Sequence, residues 1–400
     1  MERNYISIEE ARKLISEHAK PIGKVVQDVV QSLGCVISED IFSPIDLPSF
    51  TNSAMDGYAI NTESIRFFPV RLKVVGEVKA GETFKRKKIK EGETLKIFTG
   101  AMIPEGVDAV VEKELVKAEG EYIIIEKEIK KWRNLRFKGE EVKEGQKVIE
   151  KGTVITPGVA GFLSAMGIKK VKVFKKPKVS LIITGTEVLK LGQKFKHGKV
   201  YDANSVSLRL ALRELGIESV KVKFVRDNLK MLRSIFKNEL KSSDVLIFSG
   251  AVSAGDYDYV RELMVEEKVE KIFYKVKQKP GKPIFLGKKD GKFIFGLPGN
   301  PAAVIICFYE YVSPFIKGVM GYKNIFPKEV EKELLEDREN KDDRPHFLRV
   351  KILGDGVKVL EAQGSHMLSS FVECDGIILL PELSKKVKGE KVKVHLLWER

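Results

Sequence analysis

An alternation of apolar strands and amphipathic helices between Lys178 and Met320 leaves this chain few possible folds. Residues 179–183, 220–225 and 245–248 are short runs rich in β-branched residues, and helical patterns at 204–215, 229–240 and 259–267 follow them in turn. Strands that alternate with helices predict a doubly wound, mostly parallel sheet covered on both faces. Two of its strands run into glycine-bearing loops followed by helical sequence. The first is 245–248, then Ser249-Gly250-Ala251-Val252-Ser253-Ala254-Gly255-Asp256-Tyr257-Asp258; the second is 293–295, then Gly296-Leu297-Pro298-Gly299-Asn300-Pro301. Glycine lets backbone N–H groups approach a ligand closely, and a helix start carries partial positive charge. Two such loops in one sheet predict a crevice for an anionic, phosphorylated ligand.

The flanks have a different texture. From 52 to 146 short alternating runs at 70–74 and 122–126 are separated by glycines, which predicts a β-rich domain. From 328 onward short strands are expected at 347–352, 357–361, 376–380 and 391–397, a small all-β domain in which the charged stretch 329–344 is an exposed connection or edge strand. Near the N-terminus Ser7 and Glu10 form a capping box for a first helix. A second helix is expected over 25–32, a short connecting helix within 152–174, and a break at Pro314 in the last helix. These changes divide the chain into 1–46 with 147–177, then 47–146, 178–327 and 328–400.

Composition narrows the partners. The chain has 71 basic and 56 acidic residues, a net charge of +15, which favours an anionic ligand over an uncharged one. No aromatic-basic stripe marks a specific nucleic-acid surface. Cys35, Cys307 and Cys374 form no CxxC, and the five histidines show no HExxH spacing, so neither a disulfide framework nor zinc chemistry is indicated. No signal peptide is evident and no apolar run is expected to reach membrane-spanning length, so the reading is a soluble, cytoplasmic protein without a membrane partner.

Several segments carry groups suited to chemistry. Ser53-Ala54-Met55-Asp56-Gly57-Tyr58-Ala59 is either a hairpin turn at Asp56-Gly57 or a loop presenting Asp56 to a ligand. Phe98-Thr99-Gly100-Ala101 offers a hydroxyl and bare amides, or an ordinary turn. Glu187, Asp227 and Asp258 each follow a strand of the alternating region. One strand-end acid is usually a helix cap, whereas three at one edge make a shared Mg²⁺ or oxyanion site. Asp202 or Asn204, at the start of a helix, is read as its cap. Lys277-Gln278-Lys279-Pro280-Gly281-Lys282-Pro283 sets cations around a rigid turn, where they either steady phosphate oxygens or form a solvated basic loop. Gly296 to Pro301, with two prolines, two glycines and an asparagine, is the most specific local signal and looks built to hold an anion or a flat ring.

Taken together, and in this order, these segments resemble the molybdopterin molybdenumtransferase family, which includes the bacterial MoeA enzymes and the gephyrin E domain. The resemblance runs from about Ser7 to about Leu397. It covers Asn52 to Ala59, Phe98 to Ala101 with Pro104, Asn134-Leu135-Arg136 with Gly139-Glu140-Glu141, the strand-end loops, Lys279 to Pro283, Gly296 to Pro301, and Gly364-Ser365-His366-Met367-Leu368-Ser369-Ser370. Ala251 replaces a usual glycine and Glu141 a usual aspartate. The resemblance implies an elongated helical piece, a β-rich domain, a doubly wound domain and a C-terminal β-barrel. It also implies a homodimer with its site between protomers.

The activity it implies is insertion of molybdate or tungstate into adenylylated molybdopterin, with release of AMP. On that footing Glu187, Asp227 and Asp258 organise Mg²⁺, and Asp56 with Thr99 completes the site. Lys279 and Lys282 hold phosphate oxygens. Ser249, Gly250, Ser253, Gly255, Pro298, Gly299, Asn300 and Pro301 line the substrate pocket, and Arg349 and Ser365 reach molybdate or the partner's substrate. Molybdopterin adenylyltransferase, the enzyme of the preceding step, is an expected partner. Two other readings stand beside this one: that adenylyltransferase activity itself, and a non-enzymatic gephyrin-like scaffold.

Overall fold

The structure, a computed structural model, describes residues 5–82, 84, 88–250 and 259–398. By contacts the chain divides into two compact units, residues 28–31 with 39–171, and the remainder.

In the larger unit a six-stranded sheet forms the centre. Its strands are β1 (Val179–Thr184), β2 (Val220–Val225), β3 (Val245–Ser249), β4 (Glu270–Tyr274), β5 (Phe285–Lys289) and β6 (Lys292–Leu297), in the order β2-β1-β3-β6-β5-β4. The first four in that order are parallel; β5 is antiparallel to both β6 and β4. Side chains alternate across a strand, so β1 sends Leu181 and Ile183 to one face and Ile182 to the other. Helices α1 (Ile8–His18), α2 (Asn204–Glu214) and α5 (Pro301–Val319) cover the first face. Helices α3 (Leu229–Ser242) and α4 (Tyr259–Glu266) cover the second. A doubly wound α/β sheet is thus what the alternation predicted. Periodicity does not pick out the β4–β5 hairpin, because Lys271, Lys288 and Lys289 dilute its apolar pattern.

Helix α5 corrects two expectations. Pro314 does not break it: a wider π turn over Phe308–Val312 precedes Ser313-Pro314, where a missing N–H is tolerated. Its 19 residues are also apolar and long enough to cross a membrane, yet 83% of the window is buried inside the protein, as a core helix is.

In the same unit a closed barrel is formed by Glu329–Leu334, Gly356–Val359, His346–Leu353, Gly376–Leu380 and Lys391–Leu396. Residues 329–334 are therefore not an edge: they pair on one side with Lys391–Leu396 and on the other with Gly356–Val359. Glu329, Glu331 and Glu333 fall on the outward positions of an alternating strand, while Lys332 is half-buried on the same side as Val330 and Leu334. The expected helix at 25–32 is likewise a strand, Lys24–Asp28, followed by a 3₁₀ turn at Val29–Gln31; adjacent valines favour extended backbone.

In the smaller unit a six-stranded mixed sheet takes the order Ala109–Glu112, Gly57–Ile60, Glu93–Ile97, Val70–Val78, Tyr122–Ile125, Val116–Glu119. The connecting helix is Pro157–Ala165, capped by the Thr156 hydroxyl.

Candidate functional site

The winding of the larger unit decides where a ligand fits. From β1 the chain crosses outward to β2, then back past β1 to β3, so the order reverses between β1 and β3, and crevices open at the carboxyl ends of strands at such a point. The ladder aligns Val225 with Thr184, Ile183 with Ser249, Ser249 with Leu297, Gly296 with Phe285, and Phe285 with Tyr274. One edge therefore carries the loops that hold Asp227, Glu187, Gly250, Pro298 to Pro301, and Lys277 to Pro283. With strands about 4.8 Å apart, this edge is about 24 Å long from β2 to β4.

At the reversal the backbone is tightly packed. Gly250 has φ +114°, and a Cβ there would lie 2.3 Å from the Thr184 carbonyl oxygen, so no other residue fits. Asn204, the first residue of α2, donates from Nδ2 to Ser249 Oγ and to the Gly299 carbonyl, both at 2.9 Å. Asn204 thereby ties the β3 loop to the β6 loop. Asp202, one residue before the N-cap Ala203, and not Asn204, takes up a first-turn amide of α2, accepting from the Ser205 N–H at 2.9 Å. The surplus was visible in the sequence: Asp202, Asn204 and Ser205 are three polar side chains where a cap needs one.

The Gly296–Pro301 motif presents Gly299 and Asn300 to solvent and buries Pro298. Pro301 starts α5, where its fixed φ is suited. Asn300 donates to Ser365 Oγ at 2.7 Å, and the Ser365 carbonyl accepts from Ala302 N–H at 3.0 Å. The 364–370 loop is thus joined to this edge.

Two candidates take other roles. Arg349 is fully buried in the barrel. Its guanidinium donates to the carbonyls of Ala362 (2.9 Å), Gly364 and Met367 (both 3.3 Å) and to Gln363 Oε1 (3.2 Å). It holds the loop that bears Ser365 and offers nothing to a ligand. Ser249 is also fully buried; its hydroxyl accepts from Asn204 and donates to the Pro298 carbonyl at 3.4 Å, so it braces the β3 and β6 loops against each other.

At one end of the edge Glu187 and Asp227 are exposed on neighbouring loops. Asp227 Oδ2 accepts from the Thr186 N–H at 3.1 Å, which ties the β2 loop to the residue before Glu187. No group of three or more metal-ligating side chains occurs among the described residues. Asp258, Ser253 and Gly255 lie outside the described residues. At the other end Lys279 Nζ pairs with Asp342 Oδ2 at 2.7 Å, and Lys282 Nζ stands 5.7 Å from the centre of the Tyr5 ring.

The smaller unit has its own cluster. Asp56 Oδ1 accepts from both the N–H and the hydroxyl of Thr99 at 2.8 Å, and these bonds hold its carboxyl below the usual range. Asp56-Gly57 is not a hairpin turn, because Asn52–Ser53 pairs with Leu135–Arg136 while Gly57–Ile60 enters the main sheet. Gly57 is required by space: a Cβ would sit 1.9 Å from the Val111 carbonyl oxygen. Asn134 closes the motif, donating to the Val110 carbonyl at 2.9 Å and accepting from the Ala54 N–H at 2.9 Å.

Comparison with known proteins gives three family matches in chain order. Residues 6–167 match the MoeA N-terminal region (domain I and II), 180–318 a probable molybdopterin binding domain, and 332–397 the MoeA C-terminal region (domain IV). A molybdopterin molybdenumtransferase of Staphylococcus epidermidis is 31% identical over 99% of this chain and 96% of its own length. One of Haemophilus influenzae is 33% identical over 98% of this chain and all of its own. The crystal structure of a molybdopterin biosynthesis MoeA protein from Pyrococcus horikoshii superposes with a TM-score of 0.85 at 32% identity, covering 99% of this chain and 100% of that one. A Pyrococcus furiosus molybdenum cofactor biosynthesis protein, TM-score 0.62 at 21% identity over 98% of this chain and 100% of that one, shares the fold.

Proposed function

The chain belongs to the MoeA family of molybdopterin molybdenumtransferases, and we propose that it inserts molybdate or tungstate into adenylylated molybdopterin at the carboxyl edge of its six-stranded sheet, releasing AMP. The observation that carries this reading is the Asn204 bridge at the strand reversal. It fixes the Gly250 and Gly299 backbones side by side, with the Glu187 and Asp227 carboxylates at one end of the same edge and Lys282, beside the Lys279–Asp342 pair, at the other.

Cleaving a pyrophosphate requires positioning and charge neutralisation more than covalent catalysis. Gly250, Gly299, Asn300 and Pro301 seat the substrate. Lys279 and Lys282 stand at the cationic end and steady phosphate oxygens. Glu187 and Asp227 supply hard oxygen donors on adjacent loops, a set that fits Mg²⁺, which takes one or two carboxylates and fills its remaining positions with phosphate and water. When bound, the ion neutralises charge on the phosphates. Asp258 is proposed as a third carboxylate of that donor set. Within the smaller unit Asp56, ionised and oriented by Thr99, is proposed as a further functional carboxylate. Ser365 holds Asn300 in place.

The proposal extends to the setting: a cytoplasmic homodimer of four domains, at 1–46 with 147–177, 47–146, 178–327 and 328–400, which receives its adenylate from molybdopterin adenylyltransferase. Incubation with adenylylated molybdopterin, Mg²⁺ and either oxyanion tests the activity. AMP release that depends on the oxyanion is the expected result. Consumption of ATP with pyrophosphate release would instead identify the adenylyltransferase activity.

A further inference from the structure

Between β1 and α2 the chain makes an excursion over residues 186–201 that the sheet does not require. Both ends of it are rooted at the crevice, Thr184 and Gly185 before it and Asn204 just after. Its base is fixed. Val188–Leu189 pairs with Val200–Tyr201, the Val200 N–H donates to the Glu187 carbonyl at 3.0 Å, and Lys199 Nζ donates to the Thr186 carbonyl at 2.8 Å.

Beyond that base, residues 190–198 are all exposed. Leu191 is 77% exposed, Phe195 62% and Tyr201 45%. The Phe195 and Tyr201 rings lie 6.2 Å apart, tilted by 44°, and the Tyr201 hydroxyl donates to the Gln193 carbonyl at 2.9 Å, which fixes one ring against the loop. Lys190, Lys194, Lys196, His197 and Lys199 fall within the same segment, and from Val188 to Tyr201 there is no acidic residue. Several exposed lysines elsewhere are answered by carboxylates, as in Lys117 with Glu126 and Lys351 with Glu373, whereas this segment contains no carboxylate to answer its own. A solvated lysine loop has no reason to expose an aromatic pair. Aromatic faces among uncompensated cations are the physical requirement for stacking a heterocycle while attracting its phosphates.

We propose that residues 188–201 form a recognition arm that stacks a flat heterocycle of the adenylylated pterin on Phe195 and Tyr201 and uses Lys194 and Lys196 to draw its phosphates toward the crevice. This rests on the function proposed above and adds to it the element that captures the substrate. Either the adenine or the pterin ring has the chemistry to stack there.

The test compares wild type with Phe195→Ala, Phe195→Tyr and the Lys194→Gln/Lys196→Gln pair. Equilibrium binding of AMP, molybdopterin, the adenylate and inorganic pyrophosphate is measured together with AMP release. Phe195→Ala should raise the Kd and KM for the adenylate about tenfold with kcat within about twofold, and Phe195→Tyr should restore both. Pyrophosphate binding should be unchanged in Phe195→Ala and weaker in the lysine pair, most clearly at low salt. Weaker binding of AMP alone would place adenine on the arm, and weaker binding of molybdopterin alone would place the pterin there. Wild-type affinity for the adenylate in both Phe195→Ala and the lysine pair overturns the arm. Should wild type bind the adenylate in a Phe195-dependent way but release no AMP, the arm stands and the transfer reaction does not. Should wild type release AMP, and Phe195→Ala match it at subsaturating adenylate, the arm alone falls.

Discussion

Two groups of charged residues in the larger unit use the same side-chain chemistry to opposite ends. At the sheet edge, Glu187 and Asp227 stand exposed on loops. Between α1, α5 and the barrel, Glu310 is fully buried and fully answered: Arg12 donates to Oε2 at 2.5 Å, and His395 Nδ1 lies 2.8 Å from Oε1. Burial pushes the Glu310 pKa up, but His395 and Arg12 outweigh it and hold the group below the usual carboxylate range. The lesson is one of saturation. A carboxylate whose lone pairs are spent inside the protein fastens elements together, whereas one left at a strand end retains bonding capacity for a ligand. Arg349 and Ser249 fall on the saturated side, although their residue types alone mark them for binding.

This contrast yields tests, and the first has the most to lose. Glu310→Gln should destabilise the protein by about 3–5 kcal/mol, because it leaves the Arg12 guanidinium without its buried counter-charge and weakens the contact to His395. Denaturant unfolding would show it, and a loss under about 1 kcal/mol would break the contrast. The pH dependence has a definite sign. Since the folded pKa of Glu310 is depressed, its contribution is complete above the unfolded value, about 4.3, and is lost as pH falls below that through the folded pKa. Wild type should therefore lose stability on acidification below about pH 4.3 more steeply than Glu310→Gln does.

Asp227→Asn should do the reverse. Stability should stay within about 0.5 kcal/mol of wild type, as for exposed sites, while AMP release falls about a hundredfold. Loss of folding without a specific loss of turnover would move Asp227 to the structural group. Asn204→Ala sits between the two: it should cost about 1–2 kcal/mol in stability and reduce AMP release about tenfold, since both crevice loops lose their tie. The slightest change concerns Asp56. In Thr99→Val its carboxyl loses the hydroxyl bond and should titrate closer to the ordinary value near 3.9, as followed by carboxyl ¹³C shifts. An unchanged titration would mean that the remaining backbone bond alone sets the value.

Much of the architecture was legible because it depends on periodicity. Apolar runs of four to six residues alternating with helical patterns leave few alternatives to a doubly wound sheet, and strands such as 220–225 and 376–380 occupy the expected residues. The misreadings have different causes. Charged strand 329–334 is held by Lys391–Leu396, some sixty residues on, which no local pattern shows, whereas the β4–β5 hairpin pairs locally and is hidden only by the lysines that dilute its apolar pattern. The candidate site was legible in part for the same reason. Loops at strand ends are predictable once strands are known, whereas Asn204 resembled a cap because the polar groups it binds, on Ser249 and Gly299, lie 45 and 95 residues away.

Local pattern and side-chain identity settle most of the strands, the loops that follow them and the chemical groups those loops contain, and all of that can be read along the chain. Which of the groups are already consumed is a property of the fold. Whether a buried hydroxyl or guanidinium finds its partners depends on how segments far apart in the chain are brought together, as Arg349 is with the carbonyls of 362–367 and Glu310 with Arg12 and His395.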